Sequence, residues 1–320
     1  MTRALNRTGA RPGHSRAHWT LMLAAVLSAA VLSGCAPRSA GTSGRLVIAS
    51  FYPLYEFAQR IGGDRVTVRS LVPAGIEAHD YEPTPQDVAQ LQRAVLLVYN
   101  GAGLEPWLEK LLPEVPAAVT RVNATEGLDL RKVVSRGRAA QGAGSVDPHV
   151  WLDPVLAQHQ ATRILEGLVR ADPEGRGVYE AGAAELQQEL QSLHEEFNQT
   201  LVSCTRREFI TSHAAFGYLA ARYHLRQIAI TGLNPEAEPS PARLAEVVGE
   251  ARRTGAQVIY VESLANPRIA EAVAREAGAR IRVLNPIEGL MPQEQNEGKT
   301  YFTVMHENLR NLAAGLGCRP

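Results

Sequence analysis

Eight short apolar runs punctuate the chain. Four lie in its first half, "LVIASF" (46–51), "VTVRSLV" (66–72), "AVLLVYN" (94–100) and "AAVTRVN" (117–123). Four lie in its second, "EFITS" (208–212), "QIAITG" (227–232), "QVIYVES" (257–263) and "RIRVLNP" (280–286). Helix-period stretches separate most of them, for example "PSPARLAEVVGEARRTG" at 239–255. Strand alternating with helix predicts parallel sheets covered by helices, and two groups of four predict two similar α/β lobes. Between the groups lies "EGRGVYEAGAAELQQELQSLHEEFNQTLV", where Leu186, Leu190, Leu193, Phe197 and Leu201 recur at spacings of 4, 3, 4 and 4. That is one apolar stripe on a long helix whose other face is Gln and Glu. A single long helix is a stiff connection between lobes. The expected organisation is an N-terminal lobe at 45–170, a linking helix at 171–202 and a C-terminal lobe at 203–320.

The first residues break the pattern. Arg3, Arg7, Arg11 and Arg16 precede the apolar run "WTLMLAAVLSAAVLSG" and then Cys35. A basic segment, a short apolar run and small residues at its end read as a secretory signal over 1–34. A membrane-anchor helix is the alternative, and the run is short for the roughly 20 residues a span needs. "LSGC" at 32–35 resembles the lipobox of bacterial lipoproteins, in which cleavage leaves the cysteine as a lipid-bearing N-terminus. The following "APRSAGTSG" suits a flexible tether over 35–44. The expected location is outside the cytoplasm, periplasmic or at the cell surface, with a lipid anchor in the membrane.

Composition narrows the class. At 45% apolar and 21% charged residues, the chain is ordinary globular protein, and 320 residues suffice for about two domains. Without residues 1–34, which hold four arginines and no acids, 29 basic and 33 acidic residues remain, a net charge of −4. A nucleic-acid binder would want a basic face, so that class is set aside. With Cys35 lipidated, Cys204 and Cys318 remain. An even pair in an exported chain suggests a disulfide, with two free thiols as the alternative.

Ligands of parallel α/β sheets bind outside the carboxyl ends of the strands. Four coordinating side chains lie just past apolar runs: His79 in "EAHDYEPTP", His149 in "DPHVWLDP", His213 after "FITS" and Glu288 after "RVLNPI". They are 70, 64 and 75 residues apart, so each half supplies two. If the lobes face each other, all four meet in the cleft. Three imidazoles and a carboxylate suit Zn²⁺, which takes N, S and some O ligands in tetrahedral geometry, whereas an all-oxygen set would point to Mg²⁺ or Ca²⁺. Each histidine also has an ordinary reading: a loop residue for His79, a helix cap for His149, a buried strand-end residue for His213. His159, His194, His224 and His306 lie in helical or polar surroundings and read as surface residues.

"LVPAGIEAHDYEPTPQD", "DPHVWLDP", "SHAAFGYLAARYHL" and "VIYVESLANPRIAEAVAREAGARIRVLNPIEGL" resemble the zinc- and manganese-binding receptors of bacterial ABC importers, over about residues 45–317. The resemblance implies two α/β lobes joined by a helix, one metal in the cleft, His79, His149 and His213 as ligands, and a membrane permease as partner. Members with His at the third position are of the zinc type, so His213 favours zinc. For the fourth ligand, many members carry Asp where this chain has Asn285. Glu288, three residues on, restores a negative charge and is preferred, with Asn285 the weaker candidate. Glu262 and Asp80 are candidates to orient ligands, since a carboxylate commonly takes the other ring N–H of a ligating histidine. The segment before His149, "VVSRGRAAQGAGSVDPH", departs from the His- and acid-rich loop of many zinc receptors.

The expected function is therefore that of a non-enzymatic, monomeric solute-binding lipoprotein that captures Zn²⁺. The alternatives are a manganese receptor, a zinc hydrolase and an adhesin with a structural metal. A catalytic zinc keeps one position open. Four candidate ligands, no HExxH and no nucleophile elbow count against the hydrolase.

Overall fold

The computed structural model describes residues 45–132 and 146–319. The signal segment 1–34, Cys35, the tether at 35–44 and most of the glycine-rich segment before His149 lie outside them. All eight apolar runs form strands: β1 (Arg45–Ala49), β2 (Val66–Ser70), β3 (Leu96–Tyr99), β4 (Thr120–Asn123), β5 (Glu208–Thr211), β6 (Arg226–Ala229), β7 (Val258–Val261) and β8 (Arg280–Val283). They make two parallel four-stranded sheets, ordered β2-β1-β3-β4 and β6-β5-β7-β8. The same order in both halves makes them topological repeats.

Position in the sheet explains each strand's sequence. β1 and β3 are central and covered on both faces, so Val47, Ile48, Leu96, Leu97 and Val98 are buried without alternation. The edge strand β2 alternates instead, with Val66 and Val68 buried and Thr67 and Arg69 exposed. In each sheet the strand order reverses beside the first strand, between β1 and β3 and between β5 and β7. That reversal opens a crevice at the carboxyl ends.

The apolar stripe between the halves forms the helix Arg176–Val202, about 40 Å long at 1.5 Å per residue. Leu186, Leu190, Leu193, Phe197 and Leu201 are all buried. They pack against the helices Tyr52–Gly62, Pro154–Ala171 and Tyr301–Leu316. One apolar core runs from the first sheet along this helix to the C-terminal helix. A second, smaller core lies between β5–β7 and the helices Pro241–Thr254 and Arg268–Ala277. Cys204, just past the long helix, is disulfide-bonded to Cys318, just past the C-terminal one. Among the described residues no helix is long and apolar enough to cross a membrane.

Candidate metal centre

Each candidate ligand sits on a loop fixed by its own hydrogen bonds. His79 lies nine residues past β2, and its main-chain N–H donates to Glu77 Oε2 at 2.9 Å. The carbonyl of Ala78 accepts from Trp107 Nε1 at 2.9 Å, which holds the loop against the first lobe. The prolines beyond it have a definite role. Pro85 opens the helix Pro85–Leu91, and Thr84 and Asp87 form a reciprocal capping box at its start.

His149 is held from below by Asp147. The Asp147 carboxylate accepts the His149 main-chain N–H at 3.0 Å and lies 2.8 Å from Nδ1. That bond directs Nε2 into the cleft. Gly217 makes room for this carboxylate, since a Cβ there would stand 2.6 Å from Asp147 Oδ2. The helix that follows is capped by Asp153, not by His149.

His213 comes two residues after β5. Its main-chain N–H donates to Glu262 Oε1 at 3.1 Å. Its Nδ1 lies 2.7 Å from Glu262 Oε2. Glu288 ends the turn after β8. Its neighbour Asn285 has its amide oxygen engaged by the Ile287 N–H at 2.7 Å, and its main chain is paired on both sides with the Asn308 side chain.

Four atoms converge. The Nε2 atoms of His79 and His213 lie 3.4 and 3.3 Å from Nε2 of His149. Oε1 of Glu288 lies 3.1, 3.4 and 3.6 Å from His149, His213 and His79. All four are within 4.8 Å of one another. A tetrahedral zinc with bonds of roughly 2.0–2.1 Å needs ligand-to-ligand edges of about 3.3 Å. His149, His213 and Glu288 are at most 2% exposed, and His79 is 8% exposed.

The buried carboxylates and imidazoles of the site shift one another. Burial pulls the imidazole of His213 down, but Glu262 and Glu288 outweigh it and hold the ring well above its ordinary value. Burial likewise pulls His149 down, but Asp147 and Glu288 outweigh it and raise the ring above its ordinary value. Burial pushes Glu288 up, while hydrogen bonds from Glu77 and the three imidazoles hold it well below the carboxylate range. Glu77 is pushed up to about 10, first by burial and then by its contact with Glu288.

Asp80 does not reach His79. It is exposed, and its carboxylate approaches Asn234 Nδ2 at 3.4 Å. The carboxylates beside ring nitrogens are Glu262 and Asp147. Asp147 reaches the ring only through the folded "DPH" segment, and its role is visible in the structure rather than in the sequence. His159, His194 and His306 lie away from the cluster, against the Glu126 carbonyl, Tyr223 and Glu196 respectively.

Residues 47–315 match the family described as zinc-uptake complex component A, periplasmic. The chain is 40% identical over 279 residues to the high-affinity zinc uptake system protein ZnuA of Bacillus subtilis, covering 84% of this chain and 87% of that protein. It is 36% identical to the zinc-binding lipoprotein AdcA of Streptococcus pneumoniae, over 91% of this chain and 60% of that longer protein. The crystal structure of the Zn(II)-bound ZnuA-like domain of AdcA superposes with a TM-score of 0.74 at 36% identity, covering 85% of this chain and 99% of that domain. With the two parallel sheets and the three-histidine, one-glutamate cluster between them, these matches show that the chain belongs to the ZnuA family of zinc-uptake solute-binding components.

Proposed function

We propose that His79, His149, His213 and Glu288 hold Zn²⁺ as cargo, and that the protein delivers it to the membrane permease of an ABC importer. The observation that carries this reading is the convergence of three Nε2 atoms and one carboxylate oxygen, all within 4.8 Å of one another and most of them at the separations a tetrahedral ion needs. Four convergent donors complete the coordination of zinc and leave no position for a catalytic water, which supports a receptor rather than an enzyme. Three nitrogens favour zinc over manganese, which prefers oxygen ligands. Glu288 takes the fourth place rather than Asn285, whose amide oxygen is already bonded within its own turn. His79 is the most exposed of the four, so the ion enters and leaves past it.

The same reading includes export under the signal at 1–34, lipidation of Cys35 and a monomeric receptor, periplasmic or at the cell surface, held to the membrane by that lipid. Metal analysis followed by competition between Zn²⁺ and Mn²⁺ tests the binding claim. One zinc per chain, undisturbed by excess Mn²⁺, is expected; preferential Mn²⁺ retention contradicts it. For the anchor, Cys35→Ser should block processing or release the protein, and membrane retention of a correctly cleaved mutant would contradict lipidation.

A further inference from the structure

The turn that carries Glu288 is strained and is held at both ends by the other half of the molecule. Ile287 has φ of +60°, a left-handed conformation that is an outlier for a β-branched residue. Such backbone persists only where its surroundings over-determine it. Here they do. Before it, the Pro286 carbonyl accepts from Trp151 Nε1 at 2.7 Å. After it, the Leu290 carbonyl accepts from the Gly75 N–H at 2.9 Å. Gly289 lies so close to the first half that a Cβ there would be 3.3 Å from the Ile76 carbonyl. Trp151 follows His149 by two residues, and Gly75 precedes His79 by four. The loops that supply two histidines thus also grip the turn that supplies the carboxylate.

Trp151 is well placed for this. It is fully buried, its ring centroid is 5.2 Å from that of His149, and Phe51 meets it edge-on. Its carbonyl accepts from Tyr301 Oη at 2.6 Å, so the residue itself is fixed to the C-terminal helix. A buried indole N–H needs an acceptor, and the one it takes is the carbonyl two residues from Glu288.

We propose that Trp151 is a positioning residue for Glu288: its indole N–H holds the strained 285–290 turn in the conformation that presents the carboxylate to the ion. This rests on Glu288 being the fourth ligand. Without the bond the turn relaxes, the carboxylate withdraws, and bound zinc is released faster.

The test is the rate of zinc loss to a colorimetric chelator. It compares wild type, Trp151→Phe, Glu288→Ala, their double mutant, and protein carrying β-(3-benzothienyl)alanine at 151. The last keeps the ring size and replaces only the N–H by sulfur, so it decides the matter if Trp151→Phe fails to fold. Both 151 variants should release zinc about ten-fold faster, the lower end of the loss seen when groups supporting metal ligands are removed, with association near wild type. In the Glu288→Ala background the change at 151 should add nothing. Wild-type release from the benzothienyl protein, or an equal acceleration with and without Glu288, overturns the clamp while leaving the zinc site intact. Wild-type affinity of Glu288→Ala overturns the fourth ligand, and the clamp with it.

Discussion

The two halves share a strand order and differ in how they reach the metal. In the first, the ligands follow the two edge strands: His79 after β2 and His149, at a distance, after β4. In the second, His213 follows the central strand β5 at once, and Glu288 follows the edge strand β8. The site is therefore not a duplicated half-site, despite the repeated topology. The fold rule fixes which end of each sheet is used, and the loops decide which strand supplies the donor. The halves also differ in support. The first shares its core with the long helix, whereas the second adds a separate small core, an exposed edge at β8 and a disulfide at its base.

The largest expected effects come from deleting a buried donor in either half. His149→Ala and His213→Ala should each weaken zinc binding by more than roughly 100-fold, since losing even a group that supports a ligand costs up to that much. Calorimetric titration of both would show whether the halves contribute equally; near-wild-type affinity in either removes that residue from the site. Breaking the staple tests the second half alone. Cys204→Ser with Cys318→Ser should lower the stability of the fold by about 2–5 kcal/mol, read by denaturant unfolding, with zinc affinity of the folded protein little changed. Unchanged stability contradicts the disulfide's role.

The carboxylates behind the rings sharpen the comparison further. Asp147→Asn in the first half and Glu262→Gln in the second should each cost roughly 10–100-fold in affinity, whereas Asp80→Asn should cost almost nothing. A damaging Asp80→Asn beside a harmless Asp147→Asn would contradict the observed pairing.

A smaller effect is expected from pH. In the metal-free protein His149 and His213 are raised above the ordinary histidine value of 6.5. They stabilise that state most below 6.5 and lose the contribution as pH rises through their raised values. Glu288 behaves oppositely: its contribution is present above the ordinary 4.5 and fades as pH falls through its lowered value. Zinc requires neutral imidazoles, so binding releases protons and tightens as pH rises. The zinc-induced increase in melting temperature should therefore grow from mildly acidic to mildly alkaline buffer. A flat response contradicts the raised imidazoles.

Much of this was legible in the amino-acid order, for identifiable reasons. Alternation in "VTVRS" against continuous apolarity in "LLVY" distinguishes an edge strand from a central one. His213 and Glu288 could be found because each lies a few residues past a strand. What stayed hidden depends on contacts distant in sequence. Trp151 in "HVWLDP" reads as core, and only its bond to Pro286, 135 residues away, gives it a further meaning. Asn285 could be ranked below Glu288 on charge, but its engaged amide oxygen is visible only in the folded turn. The capping box of Thr84 and Asp87 does have a local signature in "TPQD".

Zinc-edge X-ray absorption of the one-to-one complex tests the central claim most directly, that two donors from each half close around one ion. The account predicts four N/O ligands at roughly 2.0–2.1 Å, with multiple scattering from three imidazoles and no sulfur. Two or fewer imidazoles, or a five- or six-coordinate shell of oxygens, would contradict it.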